Sequence, residues 1–289
     1  MAEHQFASLD YDVPVPSLTS NRHDELPQCD SSPCLVASMI RLNVILYDII
    51  ILNTQVVAKQ YAEVVDRERE RELTLTLDHW YHALPPRLHY SDENWAYWVG
   101  ENFGPIYLSL HINYNHAGQL LLYKHLHPAQ DTDQDHFGVD ATSNAAQRCK
   151  RHATNLCDLI HRANQHPETV VMYPLAGHIL CLASTVQIHT LLFGDNDREL
   201  SEAKARLEHN FNIILSMNHF WPVNQRSINR LQIFHNACLR DQDDSFRLDA
   251  WMLRFMLGFT QDIEDRDAVT LENTGSSQLI SDLKNLLDI

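Results

Sequence analysis

The chain of 289 residues carries 22 Lys and Arg against 38 Asp and Glu, a formal charge of −16 at pH 7. Apolar residues make up 44% and charged residues 21% of the composition, which is typical of a globular protein and excludes a disordered or fibrous one. Binding to DNA or RNA needs clustered Lys and Arg that displace counterions from phosphates. We therefore expect no autonomous nucleic-acid binding by this chain.

The cysteines and the apolar runs indicate the class of protein. None of the six cysteines forms a Cys-x-x-Cys pair, which excludes the usual zinc-finger patterns. The N-terminus is acidic and polar, unlike a signal peptide. The most apolar run, Val44 to Leu52, is interrupted by Asp48 and is shorter than the roughly 20 residues of a membrane span. These features predict a soluble intracellular protein with reduced thiols and no membrane contact.

Residues 1–33 are expected to form an extended segment, because alternate prolines in Asp12–Pro16 restrict the backbone. Ser31–Pro33 has the pattern of a helix start. Apolar residues at spacings of three and four then predict a helix from Cys34 to about Val65. The alternating charges of Asp66–Glu72 indicate a solvated helix face or a joint between two helices.

Further helices are predicted along the rest of the chain. One carries Trp80 and Leu84 and must end before the Pro85–Pro86 pair, and residues 87–104 are expected to be an aromatic-rich loop. A polar loop is expected at 131–138. No period-2 strand pattern occurs, so the predicted fold class is all-α, an irregular multi-helix bundle. The remaining predicted helices are Pro105–His127, Asp140–His166, Val170–Phe193, Arg198–Phe220, Asn224–Arg240 and Phe246–Phe259.

The C-terminus permits two interpretations. Residues 241–289 contain eleven Asp and Glu against four Lys and Arg. Acidic residues flank bulky side chains such as Trp251 and Phe255, a composition typical of amphipathic activation segments. The alternative is a terminal helix packed on the bundle, followed by a frayed tail. We expect an acidic tail at 261–289 after a helical domain at 34–260.

Catalytic motifs are missing from the sequence. It contains no glycine-rich phosphate loop, no Gly-x-Ser-x-Gly elbow and no His-Glu-x-x-His pair. We therefore predict no catalytic, cofactor-binding or metal-binding residue, and no enzyme. Scattered His, Tyr and Trp side chains on a helical bundle could nevertheless shape a pocket for an apolar or polycyclic ligand.

Histidine is unusually frequent, with 18 residues, and their full ionisation would move the formal charge from −16 to +2. His111 and His116 are five residues apart, so on a helix they point about 140° away from each other. His178 and His189 follow one helical stripe and could line one cavity, but they are too far apart to bind one ion together. The spacings therefore favour no metal site.

Several stretches carry motifs in a defined order. Asp10–Pro16 matches an acidic D-x-D-V-x-x-P strip, and Leu77–Leu88 matches L-x-x-W-x-x-x-L-P-x-x-L. Leu108–Lys124 is similar to the helix that comes after these two motifs in one protein family. Cys149–Ile160 and Pro174–Phe193 are similar to the next two helices of that family. Together they resemble the fungal-specific transcription factor domain, the helical regulatory region found downstream of the zinc cluster in many fungal regulators.

The resemblance has two departures. The family's DNA-binding module needs six cysteines in a Lys- and Arg-rich segment, and this sequence has no such segment. The earlier helical half of the family's region is also missing, so the chain looks like its C-terminal portion. Apolar faces that would meet the missing half must pack elsewhere, which predicts dimerisation, binding of a partner helix or marginal stability.

The resemblance implies a nuclear regulator of transcription that acts through protein contacts, with the transcription machinery or a dimer partner, and that needs no cofactor. A link to a metabolic gene cluster, as in secondary metabolism, follows from family association alone. It leaves a small-molecule effector open. The alternative hypothesis is an enzyme or ligand-binding protein of a fungal metabolic pathway built on the same bundle. A third is a gene fragment without function.

Overall fold

The computed structural model describes residues 32–58, 63–127, 138–170 and 173–266. Within these ranges the chain forms α-helices joined by turns and short 3-10 helices, without a strand. The prediction of an all-α multi-helix fold is confirmed. The helices are α1 (Ser32–Ala58), α2 (Glu63–His82), α3 (Asp92–Gly100), α4 (Gly104–Leu122), α5 (Gly138–Asn164), α6 (Pro174–Phe193), α7 (Asp197–Phe220), α8 (Gln225–Arg240) and α9 (Ala250–Leu257).

Three predicted segments lie largely outside the described residues: the extended N-terminal segment, the polar loop at 131–138 and most of the acidic tail. In the described chain, one hydrophobic core includes side chains from all the helices. α4 and α6 are interior helices, and α5 packs against both. α1, α2 and α3 pack on α4, while α7 and α8 pack on α6.

The boundary between the first two helices differs from the prediction. The helix predicted from Cys34 to Val65 is wrong at its end, because α1 ends at Ala58 and α2 begins at Glu63. The charged run Asp66–Glu72 lies inside α2, where Arg69 pairs along the helix with Glu72 at 2.7 Å. Glu70 of the same run is largely buried and pairs with Lys124 at 2.5 Å and His125 at 2.6 Å. Trp80 joins the two helices, because its Nε1 donates to the Ser38 carbonyl at 3.2 Å.

The predicted aromatic-rich loop at 87–104 contains a helix, α3, so that prediction is wrong. Ser91 caps the helix, because its Oγ accepts a hydrogen bond from the Asn94 N–H at 3.1 Å. Trp98 is buried and its Nε1 donates to the Arg87 carbonyl at 2.8 Å. The aromatic side chains are therefore core residues of a short capped helix.

The C-terminal helix belongs to the bundle. Trp251 and Phe255 are buried in the core, so they do not form an exposed activation segment. The buried Arg230 donates to the carbonyls of Phe255 at 2.9 Å and Gln261 at 2.7 Å, which fixes the chain beyond α9. The structure thus favours a packed terminal helix, and residues 261–266 of the expected tail continue along the bundle.

Two of the described helices are long and apolar enough to cross a membrane by length and composition. They are Cys34–Ala58, 39% buried, and α6, 89% buried. The apolar run of α1 is therefore longer than the sequence estimate based on Val44–Leu52. The thiols also depart in part from expectation, because Cys34 is disulfide-bonded. The described free thiols, all buried, are Cys149, Cys157, Cys181 and Cys238.

Candidate functional site

A cavity of about 350 Å³ lies where α2, α4 and α5 meet. Its walls combine three tyrosines with a buried histidine, two amides and an ion-paired rim. This group of residues is called the tyrosine cavity below. The lining residues are Tyr81, Tyr90, His111, Tyr114, Asn115, Asn155, Asp158, Leu159 and Arg162.

Helical spacing explains why most of these side chains meet. His111, Tyr114 and Asn115 stand at positions i, i+3 and i+4 of α4 and therefore share one face. The α5 residues 155, 158, 159 and 162 follow the same rule. Because α4 packs against α5, the two faces enclose one space.

A glycine permits the close approach of these two helices. A Cβ atom on Gly118 would lie 2.5 Å from Nε2 of His152, which is closer than atoms can approach. His152 packs edge-on against Tyr114, with ring centroids 5.5 Å apart, and its Nδ1 hydrogen-bonds Oδ1 of Asn115 at 3.1 Å. The α5 histidine thus holds two side chains of the cavity wall in place.

The aromatic wall presents stacked rings. Tyr81 and Tyr114 stack with centroids 4.5 Å apart and an interplanar angle of 22°. Trp80 also stacks with Tyr114, with ring centroids 5.7 Å apart. Burial raises the pKa of Tyr114 to about 12 and raises those of Tyr81 and Tyr90. The phenols are therefore protonated and uncharged at neutral pH.

His111 is the most unusual group in the cavity. Its side chain is 1% exposed, and its Nε2 has no hydrogen-bond partner among the described residues. Burial lowers its pKa to about 3, against a smaller opposing effect of a hydrogen bond to the backbone of Leu88. The ring is therefore neutral. With its other nitrogen engaged by Leu88, Nε2 is a buried hydrogen-bond acceptor.

The charges at the rim of the cavity are compensated. Arg162 donates to Oδ1 of Asp92 at 2.5 Å and to the Tyr90 hydroxyl at 3.2 Å, and its guanidinium lies over the Trp95 ring at 4.2 Å. Asp158 accepts a hydrogen bond from Nε of Arg206 at 2.8 Å. The cavity as a whole is consequently uncharged.

Two other cavities border the tyrosine cavity. One of about 600 Å³ lies between α5 and α7, where His161 already bonds Oδ1 of Asn210 at 2.7 Å. The other, of about 410 Å³, lies between α3 and α5 beside Trp95, whose buried Nε1 has no partner in the described chain. Arg162 separates this second cavity from the tyrosine cavity.

The other histidines singled out by spacing lie elsewhere. His116 is buried outside these cavities, and burial lowers its pKa to about 3. His178 donates to the Met256 carbonyl at 2.7 Å, whereas His189 donates to the Leu126 carbonyl at 2.9 Å. The two rings therefore support the packing of α6 and do not line a common cavity among those described.

The described residues do not include a group of three His, Cys, Asp or Glu side chains that could hold a metal ion. Sequence reasoning named His111 only as half of a rejected metal pair and assigned Tyr90 to a loop. The shared face of His111, Tyr114 and Asn115 was readable from their spacing. Their meeting with Tyr81 and the α5 residues depends on helix packing, which the spacing does not specify.

No family model matches this chain, and no curated protein and no solved structure is similar to it. The resemblance to the fungal-specific transcription factor domain therefore rests on the order of its sequence motifs.

Proposed function

We propose that the chain is a nuclear regulator of transcription that acts through contacts with other protein chains and not through direct contact with DNA. The order of the sequence motifs supports this class, and an all-α bundle is the architecture that the resemblance implies. The net charge of −16 disfavours binding to a polyanion and so supports protein partners.

One observation carries the proposal: α1 exposes an apolar stripe. Val36, Ile40, Val44 and Tyr47 are 46%, 42%, 59% and 63% exposed. Their spacings of four, four and three residues place them on one helix face. The opposite face of the same helix, with Leu35, Leu42 and Ile49, is fully buried in the core. α1 is thus apolar on both sides, which is typical of a helix with a protein partner.

The occupant that fits this stripe is α1 of a second copy of the chain. The charged side chains of α1 are one arginine and one aspartate, so this face is neutral on a strongly acidic protein, and two copies repel each other least here. In an antiparallel pair centred between Val44 and Ile45, the register brings the exposed Arg41 of each copy level with Asp48 of the other, which within its own chain pairs with Arg69 at 3.6 Å. Such a twofold pairing is self-complementary.

Sedimentation of the full chain tests the pairing. We expect the wild-type protein to be a dimer and the Val44→Glu variant to be a monomer, because the variant places two like charges at the centre of the interface. Leu75→Glu is the matched control, since Leu75 is 60% exposed on α2 among polar neighbours. A monomeric wild type, or equal dissociation of both variants, would contradict the proposed pairing.

A reporter assay tests the regulatory role. The full chain is fused to an unrelated DNA-binding domain that is itself monomeric, and expression of a reporter gene with the matching promoter site is measured in a fungal host. We expect the fusion to change expression and Val44→Glu to reduce that change, while Leu75→Glu preserves it. A fusion without effect on the reporter contradicts the regulatory role even if the protein is a dimer.

A second candidate function is ligand binding or catalysis on the same bundle. The tyrosine cavity favours this candidate, because three tyrosines, two amides and an ion-paired rim surround a space of about 350 Å³. The cavity brings together no nucleophile and base of the usual catalytic kind among its described residues. Ligand binding is therefore the form of this candidate that the geometry supports.

A further inference from the structure

We infer that the cavity between α3 and α5 binds a small organic carboxylate with a flat apolar body, and that Arg162 binds the carboxylate group. This cavity of about 410 Å³ is bordered by Trp95, Val99, Arg162 and Pro167, and it is called the Trp95 cavity below. The inference goes beyond the proposed regulatory function and does not depend on it. It gives a location and a chemical class to the small-molecule effector that the resemblance leaves open.

Arg162, which lines the cavity, has unused hydrogen-bond donors. Among the described residues, only its Nη1 has partners, which are Oδ1 of Asp92 at 2.5 Å and the Tyr90 hydroxyl at 3.2 Å. Nε and Nη2 carry three further N–H groups, and neither atom is buried, so a ligand can reach them from the solvent. A carboxylate fits such an edge, because its two oxygens accept two parallel hydrogen bonds from one guanidinium.

The guanidinium of Arg162 is held in position before a ligand binds. It lies over the Trp95 ring, 4.2 Å from the ring centroid, and Asp92 holds its Nη1. Trp95 is itself 5% exposed, and the His166 ring packs edge-on against it with ring centroids 5.1 Å apart. A side chain that is already ordered loses little conformational freedom on binding, so this arrangement favours affinity.

The sign of the ligand charge follows from the exposure of the paired groups. Arg162 and Asp92 cancel in net charge, but the Asp92 side chain is 79% exposed and the Arg162 side chain is 39% exposed. Water screens an ion at a solvated group more than one at a partly buried group, so an anion on the arginine is favoured over a cation on the aspartate. The acidic chain repels anions at long range, but physiological salt screens this repulsion beyond about 8 Å.

The rest of the cavity wall favours an apolar ligand body. Ala96, Val99 and Pro167 bring no polar side-chain group. Thr169 also lines the cavity, but it is buried and its hydroxyl donates to the Ala163 carbonyl at 3.1 Å. A ring against these side chains removes apolar surface from water. One ring or two fused rings fit about 410 Å³, which lies within the roughly 300–1,000 Å³ of ligand pockets.

Three naphthalene probes of similar shape test the inference on the full chain at pH 7.5. 2-Naphthoate is an anion, 2-naphthamide is its neutral counterpart, and 2-naphthylmethylammonium is a cation. We expect calorimetry to show one saturable site for 2-naphthoate and binding of 2-naphthamide that is weaker by about tenfold, the difference between a charged and a neutral hydrogen-bonded pair. No saturable binding of the cation is expected. Equal affinity for the anion and the amide, or preference for the cation, would overturn the inference.

Substitution of the arginine tests the contact with the carboxylate. We expect Arg162→Gln to lower the affinity for 2-naphthoate to that for 2-naphthamide, and Arg162→Lys to give an intermediate affinity because it keeps the charge but loses the two-pronged edge. Arg87→Gln is the matched control: Arg87 also pairs with an acid, Glu93 at 3.0 Å, and lies over an aromatic ring, but it lines none of the three cavities described above. Both changes to Gln alter the net charge equally. If the control weakens 2-naphthoate as much as Arg162→Gln does, Arg162 is not the contact.

Two exposed positions determine which cavity holds the ligand, because Arg162 also lines the tyrosine cavity. Ala96 lines the Trp95 cavity, so Ala96→Trp should fill it and abolish 2-naphthoate binding while the fold is retained. Asn155→Trp is the control, since Asn155 lines only the tyrosine cavity, and it should leave the affinity unchanged. Melting curves of both variants check the fold. Loss of binding in Asn155→Trp but not in Ala96→Trp would assign the ligand to the tyrosine cavity and overturn the inference.

Discussion

α1 and α6 are the two most hydrophobic long helices of the described chain, yet the bundle treats them differently. The mean hydropathy of the best window is 2.0 in α1 and 1.4 in α6, while the buried share is 39% in α1 and 89% in α6. The helix with the more hydropathic window is therefore the more exposed one. Hydrophobicity alone does not determine which helix lies at the centre.

The polar side chains of α6 explain its interior position. Thr185 bonds the Tyr123 hydroxyl at 2.9 Å, and Ser184 accepts a hydrogen bond from Asn210 at 3.0 Å. His178 and His189 each donate to a backbone carbonyl. These partners lie on several sides of α6, and of the groups named only the Nδ1 atoms of the two histidines have no partner among the described residues.

The polar contacts of α1 occur on one side only. Nδ2 of Asn53 donates to the Leu120 carbonyl at 3.0 Å, and the Ser38 carbonyl accepts from Trp80. The face with Val44 and Tyr47 has no such contact within the described chain and is available to a partner. The comparison predicts that changes in α6 affect folding, whereas changes on this face of α1 affect association.

Acidification should have the largest effect on the free energy of unfolding. Part of this effect comes from the buried histidines of α6. Burial lowers the pKa values of five histidines to about 3 or 4, whereas an unfolded histidine titrates near 6.5. Below pH 6.5 the unfolded chain therefore binds more protons, and stability falls with falling pH until the folded pKa values are reached. At pH 5 the loss is about 2 kcal/mol for each histidine. The five are His111, His116, His152, His178 and His189.

Urea unfolding between pH 7.5 and pH 5 measures this effect, and we expect acid unfolding between pH 6 and pH 4. His189→Gln should reduce the proton uptake on unfolding by about one, because the amide keeps a donor for the Leu126 carbonyl without titrating. Stability independent of pH from 7 to 5 would show that these histidines are not buried as neutral rings. Such a result would instead agree with the sequence-based estimate, in which all 18 histidines gain charge in acid.

Truncation of a core side chain should have the next largest effect. Leu180 of α6 is fully buried, so Leu180→Ala should lower the free energy of unfolding by about 2–5 kcal/mol through lost burial and a residual cavity. Val44→Ala on α1 should change it by no more than about 0.5 kcal/mol at protein concentrations where the chain is monomeric. Urea titration of both variants checks the contrast. Similar losses in the two would mean that the exposed face of α1 is covered within the monomer.

The same contrast shows what the sequence could predict. The periodicity of α6 and its apolar character on all sides indicated a central helix, and the structure places it there. Pro85 and Pro86 correctly marked the end of α2. The α3 helix was missed because the five large aromatic residues of 87–104 obscured a capping signal, Ser91 followed by Asp92 and Glu93.

The tyrosine cavity could be predicted only in part. Spacing places His111 and Tyr114 on one face, but Tyr81 and Arg162 come from other helices, and no local pattern specifies that they meet. The close approach of α4 and α5 at His152 depends on the missing side chain of Gly118. Likewise, the distant Arg230 fixes the chain after α9, and Nε1 of Trp251 donates to the Glu264 carbonyl at 2.8 Å; composition could not reveal these contacts.

The smallest expected effect, a dependence of the melting temperature on protein concentration, is the most specific test of the α1 stripe. If two copies pair through α1, dissociation accompanies unfolding, so mass action makes the melting temperature depend on protein concentration. For a chain of this size we expect a rise of about 1–2 °C for each tenfold increase in concentration. Val44→Glu should abolish this dependence without lowering the melting temperature at the most dilute concentration, because a surface substitution leaves the monomer core intact. Calorimetric scans over a hundredfold range of concentration measure both quantities. A concentration-dependent melting temperature that persists in Val44→Glu would place the interface elsewhere, and α1 would then be exposed without a partner of its own kind.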